Sequence, residues 1–307
     1  MNTRHHCARR PLTALSVGLV VAMGLTACGS ASDRATNASS TAPRIASAPM
    51  GTDNAYEGVA TEQTPVYWAG TGDQSEYLFR EFRTPGATDT ADPVAEAVVM
   101  MTTLEPLDQD YRSLWTGVES VGTSVSPDGT ITVDLPATAF ASRLSAENAE
   151  LALQQLVYTV SAAAVTAGLL DAATAKEVRV LVDGQSEYKA FGSVDINEPI
   201  ARDASLASPV WLIDPQTGTK SGTPLTVFGR VLPDFASARW EVIPRGEDDP
   251  LESGDVTEET GSPTSTAGTE FRIPVDVPAG DYTVRVAGTN EDGQKIEDDH
   301  PVTVVED

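Results

Sequence analysis

Residues 145–168, SAENAELALQQLVYTVSAAAVTAG, contain no proline and no glycine before Gly168. Leu153, Leu156, Val157, Val160 and Ala164 recur at helical spacing and share one face. Ser145 is placed to cap the first turn. Glu147 and Glu150 sit near the positive end of the helix dipole, and Gly168 suits the exit. A helix with one apolar face must bury it against a second layer. The surrounding sequence supplies mainly short β-type runs for that layer, which points to an α+β arrangement.

Residues 64–70 (TPVYWAG) and 75–83 (SEYLFREFR) read as strands on either side of the turn sequence TGDQ. The second run does not alternate cleanly, so its inward face stays open. Asp89, Thr90, Asp92 and Pro93 signal the start of another helix, whose stripe is Val94, Ala97, Val98 and Met101. Met100 and Met101 read as core filler. Residues 117–135 hold two strands around Pro127-Asp128-Gly129, with Ile131, Val133 and Leu135 alternating against polar neighbours. Residues 176–184, KEVRVLVDG, read as a buried strand closing at Asp183-Gly184. The order is β-β-α-β-β-α-β over residues 60–203, one mixed sheet carrying two helices.

Residues 207–305 change character. Six short β runs (SPVWLID, PLTVFGRV, ARWEVIP, TEFRIPVDV, DYTVRVAGT and HPVTVVE) are separated by turns, with no helix signal. This reads as an all-β sandwich of immunoglobulin type without an internal disulfide. Between the third and fourth runs lies an acidic stretch within residues 245–268, with seven acids by Glu259. A solvated loop is the plainer reading of residues 247–259. Calcium is the sharper one, although the spacing of an EF-hand is absent. Trp211 and Trp240 read as strand core, with sugar stacking as the alternative.

Taken together, PVYW…YLFREFR, GTITVDLPATAF, LALQQLVYTVSA and VRVLVDG resemble the GerMN domain of bacterial sporulation and spore-germination proteins. The resemblance covers about 140 residues in the right order. The Gly-Pro step that the family has after its first helix is Glu105-Pro106 here. No catalytic residue is established for that family, and none is carried over. The β region is similar to the immunoglobulin-like domain that often follows GerMN domains. The resemblance also implies self-association through the GerMN-like domain.

The N-terminus reads as an address. Arg4, Arg9 and Arg10 precede an apolar run from Pro11 that ends in Leu25-Thr26-Ala27-Cys28. A charged region, an apolar region and small residues at the cut define a secretory signal. The last four residues resemble the lipobox of bacterial lipoproteins. That resemblance implies cleavage after residue 27 and lipidation of Cys28, with S-diacylglycerol and N-acyl groups. A plain signal peptide with an incidental cysteine is the alternative. Arg9-Arg10 leaves twin-arginine export open beside general secretion. Residues 28–59, rich in Gly, Ser, Ala, Thr, Pro and Asn, read as a flexible tether. The expected site is the extracytoplasmic face of the cell membrane, held by lipid.

The formal net charge of −25, from 45 acids and 20 bases, argues against nucleic acid as a partner. Past residue 28 one histidine, His300, and no further cysteine remain, too few for a zinc site, and any nucleophile–histidine arrangement would have to recruit His300, close to the end of the sequence. No cofactor, no metal and no catalytic residue is therefore expected. The expected function is non-enzymatic: a membrane-anchored envelope protein whose two modules bind another envelope protein or the cell wall. The alternatives are a cell-wall polysaccharide-binding lipoprotein and a carboxylate-dependent glycan hydrolase. The latter would need two carboxyl groups about 5–10 Å apart in a cleft.

Overall fold

The computed structural model describes residues 63–72, 75–86, 91–172, 174–175, 177–235, 237–257, 261–264 and 268–306, all within one compact unit, Ser47–Asp307. The expected signal, the tether and Cys28 lie outside the described residues.

The first lobe opens with β1 (Thr64–Thr71) and β2 (Glu76–Arg83), an antiparallel pair in which Tyr67 is in register with Arg80 and Trp68 with Phe79. Helix α1 (Pro93–Thr103) starts where the Asp92 carboxylate accepts the Val94 and Ala95 N–H groups, with Pro93 in its first turn. The stripe of Val94, Ala97, Val98 and Met101 is fully buried. The short β3 (Tyr111–Arg112) pairs with the far end of β1. Next, β4 (Gly122–Val125) and β5 (Thr130–Leu135) form a hairpin whose turn needs Gly129 at φ +93°.

Helix α2 (Ala146–Thr166) is capped by Ser145, which accepts the Asn148 N–H. Then β6 (Glu177–Val182) runs parallel to β5. The pair β7 (Tyr188–Ala190) and β8 (Val194–Ile196) is separate from it, and β9 (Ile200–Ala201) adds to β6.

The expected single sheet is in fact divided: β2-β1-β3 is one sheet and β4-β5-β6-β9 another. The division follows from α2. Tyr67, in the middle of β1, donates its N–H to Thr159 Oγ1 at 3.1 Å, and its carbonyl accepts from Gln155 Nε2 at 2.8 Å. Gln155 Oε1 also takes the Leu114 N–H at 3.3 Å. Gln155 and Thr159 are both 0 % exposed. The helix thus stands where a neighbouring strand would stand, and its side chains satisfy backbone groups that would otherwise be orphaned.

The second lobe comprises β10 (Val210–Asp214), β11 (Lys220–Ser221), β12 (Leu225–Val231), β13 (Ser237–Pro244), β14 (Glu252–Val256), β15 (Gly261–Thr264), β16 (Gly268–Val275), β17 (Gly280–Thr289) and β18 (Lys295–Val304). One sheet has the order β10-β12-β16-β15 and the other β11-β18-β17-β13-β14. Their inner faces share one core, with Leu212, Leu225, Val227 and Phe271 from the first and Val242, Val284, Val286 and Val302 from the second.

All six expected strands are present, but residues 247–259, expected as a solvated loop, contain β14, and β15 follows within the same 245–268 stretch. The edge strand β14 pairs with β13, placing Gly254 opposite Trp240. A Cβ at Gly254 would lie 2.9 Å from the indole nitrogen, so glycine leaves room for the ring. Charged residues on an exposed edge also discourage pairing with another sheet.

The lobes are not separated by solvent. Strand alternation places Leu212 inside the sandwich, while Trp211 and Ile213 face the other way and join the first lobe's core together with Phe228.

Candidate functional site

The seam between the lobes gathers most of the buried charge. Arg80, in the middle of β2, is 3 % exposed, and its guanidinium lies 4.8 Å from the Trp211 ring and 4.7 Å from the Phe82 ring. Arg230 approaches Trp211 at 5.7 Å. Neither Trp211 nor Trp240 presents a free face, since both are buried. Their geometry is that of packing, with cation–π contacts to Trp211 across the seam, rather than of a sugar platform.

Beside this stack lies a hydrogen-bonded knot. Asp298 Oδ1 accepts the Tyr111 hydroxyl at 2.5 Å and Oδ2 accepts the Leu212 N–H at 2.7 Å. His300 Nδ1 is 2.7 Å from the Pro215 carbonyl, which can only accept, so this nitrogen carries a hydrogen. Its Nε2 lies 3.6 Å from Asp298 Oδ1 and 4.0 Å from Asp108 Oδ2. Asp108 in turn accepts the Asp110 N–H and the Thr217 hydroxyl. Glu81 accepts the N–H groups of Leu107 and Asp108. Gln216 Oε1 takes the Phe82 N–H at 2.7 Å.

Burial pushes the Asp298 carboxyl above its ordinary range, against the opposing effects of His300 and the Tyr111 and Leu212 bonds. Tyr111 is raised well above the usual phenol value, first by burial and then by Asp298. Asp299 is raised by burial, then by Asp108 and Asp110.

The knot opens into a cavity of about 260 Å³, with Asp110, Glu297 and Asp299 among its lining residues. Its deep carboxylates are engaged: both oxygens of Asp298 and Asp108 accept protein hydrogen bonds, as do those of Glu81, which holds the Asp108 N–H. The arrangement joins two lobes. Among the described residues no group of three or more His, Cys, Asp or Glu is disposed to hold a metal ion.

Of the residues singled out from sequence, Cys28 lies outside the described residues. Gln155 supports β1. Asp134 accepts the Gly184 N–H at 2.9 Å, and Asp183 donates its N–H to Leu135, so both stabilise the exit of β6. Met100 and Met101 are core. In the acidic stretch Glu247, Asp248 and Asp249 are exposed, while residues 258–260 lie outside the described set. Sequence reasoning missed the seam residues Arg80, Glu81, Asp108, Tyr111 and Asp298. One signal was available: in β18, KIEDDHPVTV, Asp298 and His300 alternate in phase with the buried Ile296, Val302 and Val304.

With this geometry in view, comparison with known proteins is informative for the first lobe. Residues 65–188 match the family model Germane, described as sporulation and spore germination. No curated protein matches the chain. The tandem GerMN domains of the sporulation protein GerM from Bacillus subtilis are 19% identical, cover 48% of this chain and 46% of their own, and give a TM-score of 0.35. The chain thus spans about half the length of that tandem structure. The first GerMN domain of the same protein is 14% identical over 46% of this chain and 95% of its own, with a TM-score of 0.33. CopC from Methylosinus trichosporium OB3b is 16% identical over 32% of this chain and 94% of its own, with a TM-score of 0.25.

The matched stretch has an α+β frame, and a β-rich lobe follows it. Over residues 65–188 the chain is similar to the GerMN-type domains of sporulation and spore germination. Among the described residues no helix is long and apolar enough to cross a membrane.

Proposed function

We propose that this protein is a non-enzymatic, lipid-anchored lipoprotein of the bacterial cell envelope. Its GerMN-type lobe and immunoglobulin-like lobe act as one rigid body that binds other envelope proteins in a sporulation- or germination-like assembly role. The observation that carries this reading is the seam. Trp211, Ile213 and Phe228 belong to the first lobe's core, and the carboxylates nearby are spent on holding the lobes together. A body built this way offers fixed surfaces at a fixed angle, as assembly requires. The signal and lipobox pattern ending at Cys28 supplies the address, and residues 28–59 supply the reach. Two acyl signals hold a protein at a bilayer far more stably than one.

The test is fractionation of cells expressing the full chain or Cys28→Ser, combined with in-cell crosslinking. The wild-type protein should sediment with membranes and form crosslinked adducts, and Cys28→Ser should move to the soluble fraction. Membrane retention of Cys28→Ser would refute the anchor. Adducts confined to purified wall would favour polymer binding over protein assembly.

A further inference from the structure

The first lobe carries a second concavity, lined by none of the seam residues named above. A groove of about 420 Å³ runs between α2 and the segment from β8 through β9 to Leu206. That volume falls within the roughly 300–1,000 Å³ of sites that engulf a ligand. Its apolar surface comes from Leu153 on the helix and from Ile196, Pro199, Ile200 and Leu206 on the facing segment.

The groove is held open by built contacts. Gln154 is 7 % exposed and clamps the segment to the helix, donating Nε2 to the Ala201 carbonyl and accepting the Asp203 N–H through Oε1, both at 2.9 Å. Tyr158 adds a hydroxyl bond to the Asp203 carbonyl at 3.0 Å. A preformed groove loses little entropy when it is filled.

Charge says what fills it. Glu150, Asp195, Glu198 and Asp203 line the groove, and among the described residues no lysine or arginine does. Asp195 is paired with Lys189 on the exposed side, and Asp203 caps Ser205. Glu150 and Glu198 are exposed and make no ion pair among the described residues. An acidic entity is repelled here, and a purely apolar one would leave two carboxylates unanswered. We infer that this groove docks a segment of a partner protein that presents apolar side chains flanked by lysine or arginine. The inference rests on the proposed role as a binding body and names the surface and the chemistry of its partner. Apolar anchors would supply affinity, while the rim would supply steering and specificity.

The test uses a random peptide library displayed on phage, selected against the immobilised, detergent-solubilised full chain. The Glu150→Lys/Glu198→Lys double variant serves as the counter-target. Both positions are exposed, so the fold should survive, which circular dichroism and an unchanged urea midpoint would verify. Selected peptides should combine Leu, Ile, Phe or Met with Lys or Arg within a few positions. Measured by fluorescence anisotropy, they should bind the variant about tenfold more weakly, as expected for reversing two rim charges. Their affinity for the wild-type chain should fall as salt rises.

Recovery of no peptides, of peptides without basic enrichment, or of peptides that bind wild type and variant equally would overturn the proposal. These outcomes are distinct from failure of the underlying reading. If the chain is anchored through Cys28 and crosslinks the same partners with or without the double substitution, the groove is wrong and the assembly role stands.

Discussion

Replacing Gln155 with leucine separates the helix-to-strand hydrogen bonds from packing, because the two side chains are similar in size. The substitution leaves the Tyr67 carbonyl and the Leu114 N–H without partners in a region closed to water. A buried group deprived of its partner costs about 1–3 kcal/mol. The Leu114 bond, at 3.3 Å, is the weaker of the two, and leucine regains some apolar contact. The expected loss is therefore about 2–4 kcal/mol, a large part of the stability of an ordinary domain.

Thr159→Val removes the acceptor of the Tyr67 N–H and should cost about 1–3 kcal/mol. Because both substitutions act on Tyr67, the double variant should depart from additivity. The assay is urea unfolding of the purified protein, followed by far-ultraviolet circular dichroism and tryptophan fluorescence. The midpoint should fall with the slope unchanged. A Gln155→Leu protein within about 0.5 kcal/mol of wild type, the range of ordinary surface changes, would refute the view that α2 replaces a strand beside β1.

Further outcomes follow from the seam and the sandwich. Burial raises the carboxyls of Asp298, Asp299, Asp214 and Glu270. The folded state therefore holds these protons to a higher pH than the unfolded chain does. Their contribution is fully present below the unfolded value near pH 4 and is lost as pH rises through the folded values. Urea midpoints should accordingly be higher at pH 5 than at pH 7. The difference should persist in high salt, which screens the long-range repulsion of the −25 charge but not desolvation, and it should shrink in Asp298→Asn. Gly229→Ala would place a Cβ 2.5 Å from Phe271 Cζ and 2.6 Å from the Trp211 carbonyl oxygen. Overpacking of this kind costs about 1–3 kcal/mol, and a thermal midpoint equal to wild type would contradict the close approach of β10, β12 and β16.

Much of the frame was legible because its signals are local. Asp92 and Ser145 cap helices as their side-chain chemistry suggests, and Gly129 takes the positive φ that its hairpin turn requires. The six longer strands of the second lobe announce themselves by composition. Strand β14 does not, because Glu-Ser-Gly-Asp has no β-forming bias. It is created by its ladder to β13 and the space Gly254 leaves for Trp240. The division of the first sheet was equally hidden. Gln155 and Thr159 look like ordinary polar interruptions of an apolar helix until β1 is placed beside them. The seam lay furthest from view, since it joins residues near 80, 110, 215 and 300, and strand alternation reveals only that Asp298 and His300 point inward.

That last feature also bears on the order of events in a growing or translocating chain. Tyr111 must wait for Asp298, which emerges 187 residues later. Arg80 in turn lacks its ring partner until Trp211 has emerged, 131 residues later. Local helices and hairpins can form in sequence, but the first lobe is completed only after strand β18 arrives. Closing so long a loop places the decisive step late. A truncation within the second lobe should therefore unsettle the first as well, and the two lobes should be gained or lost together.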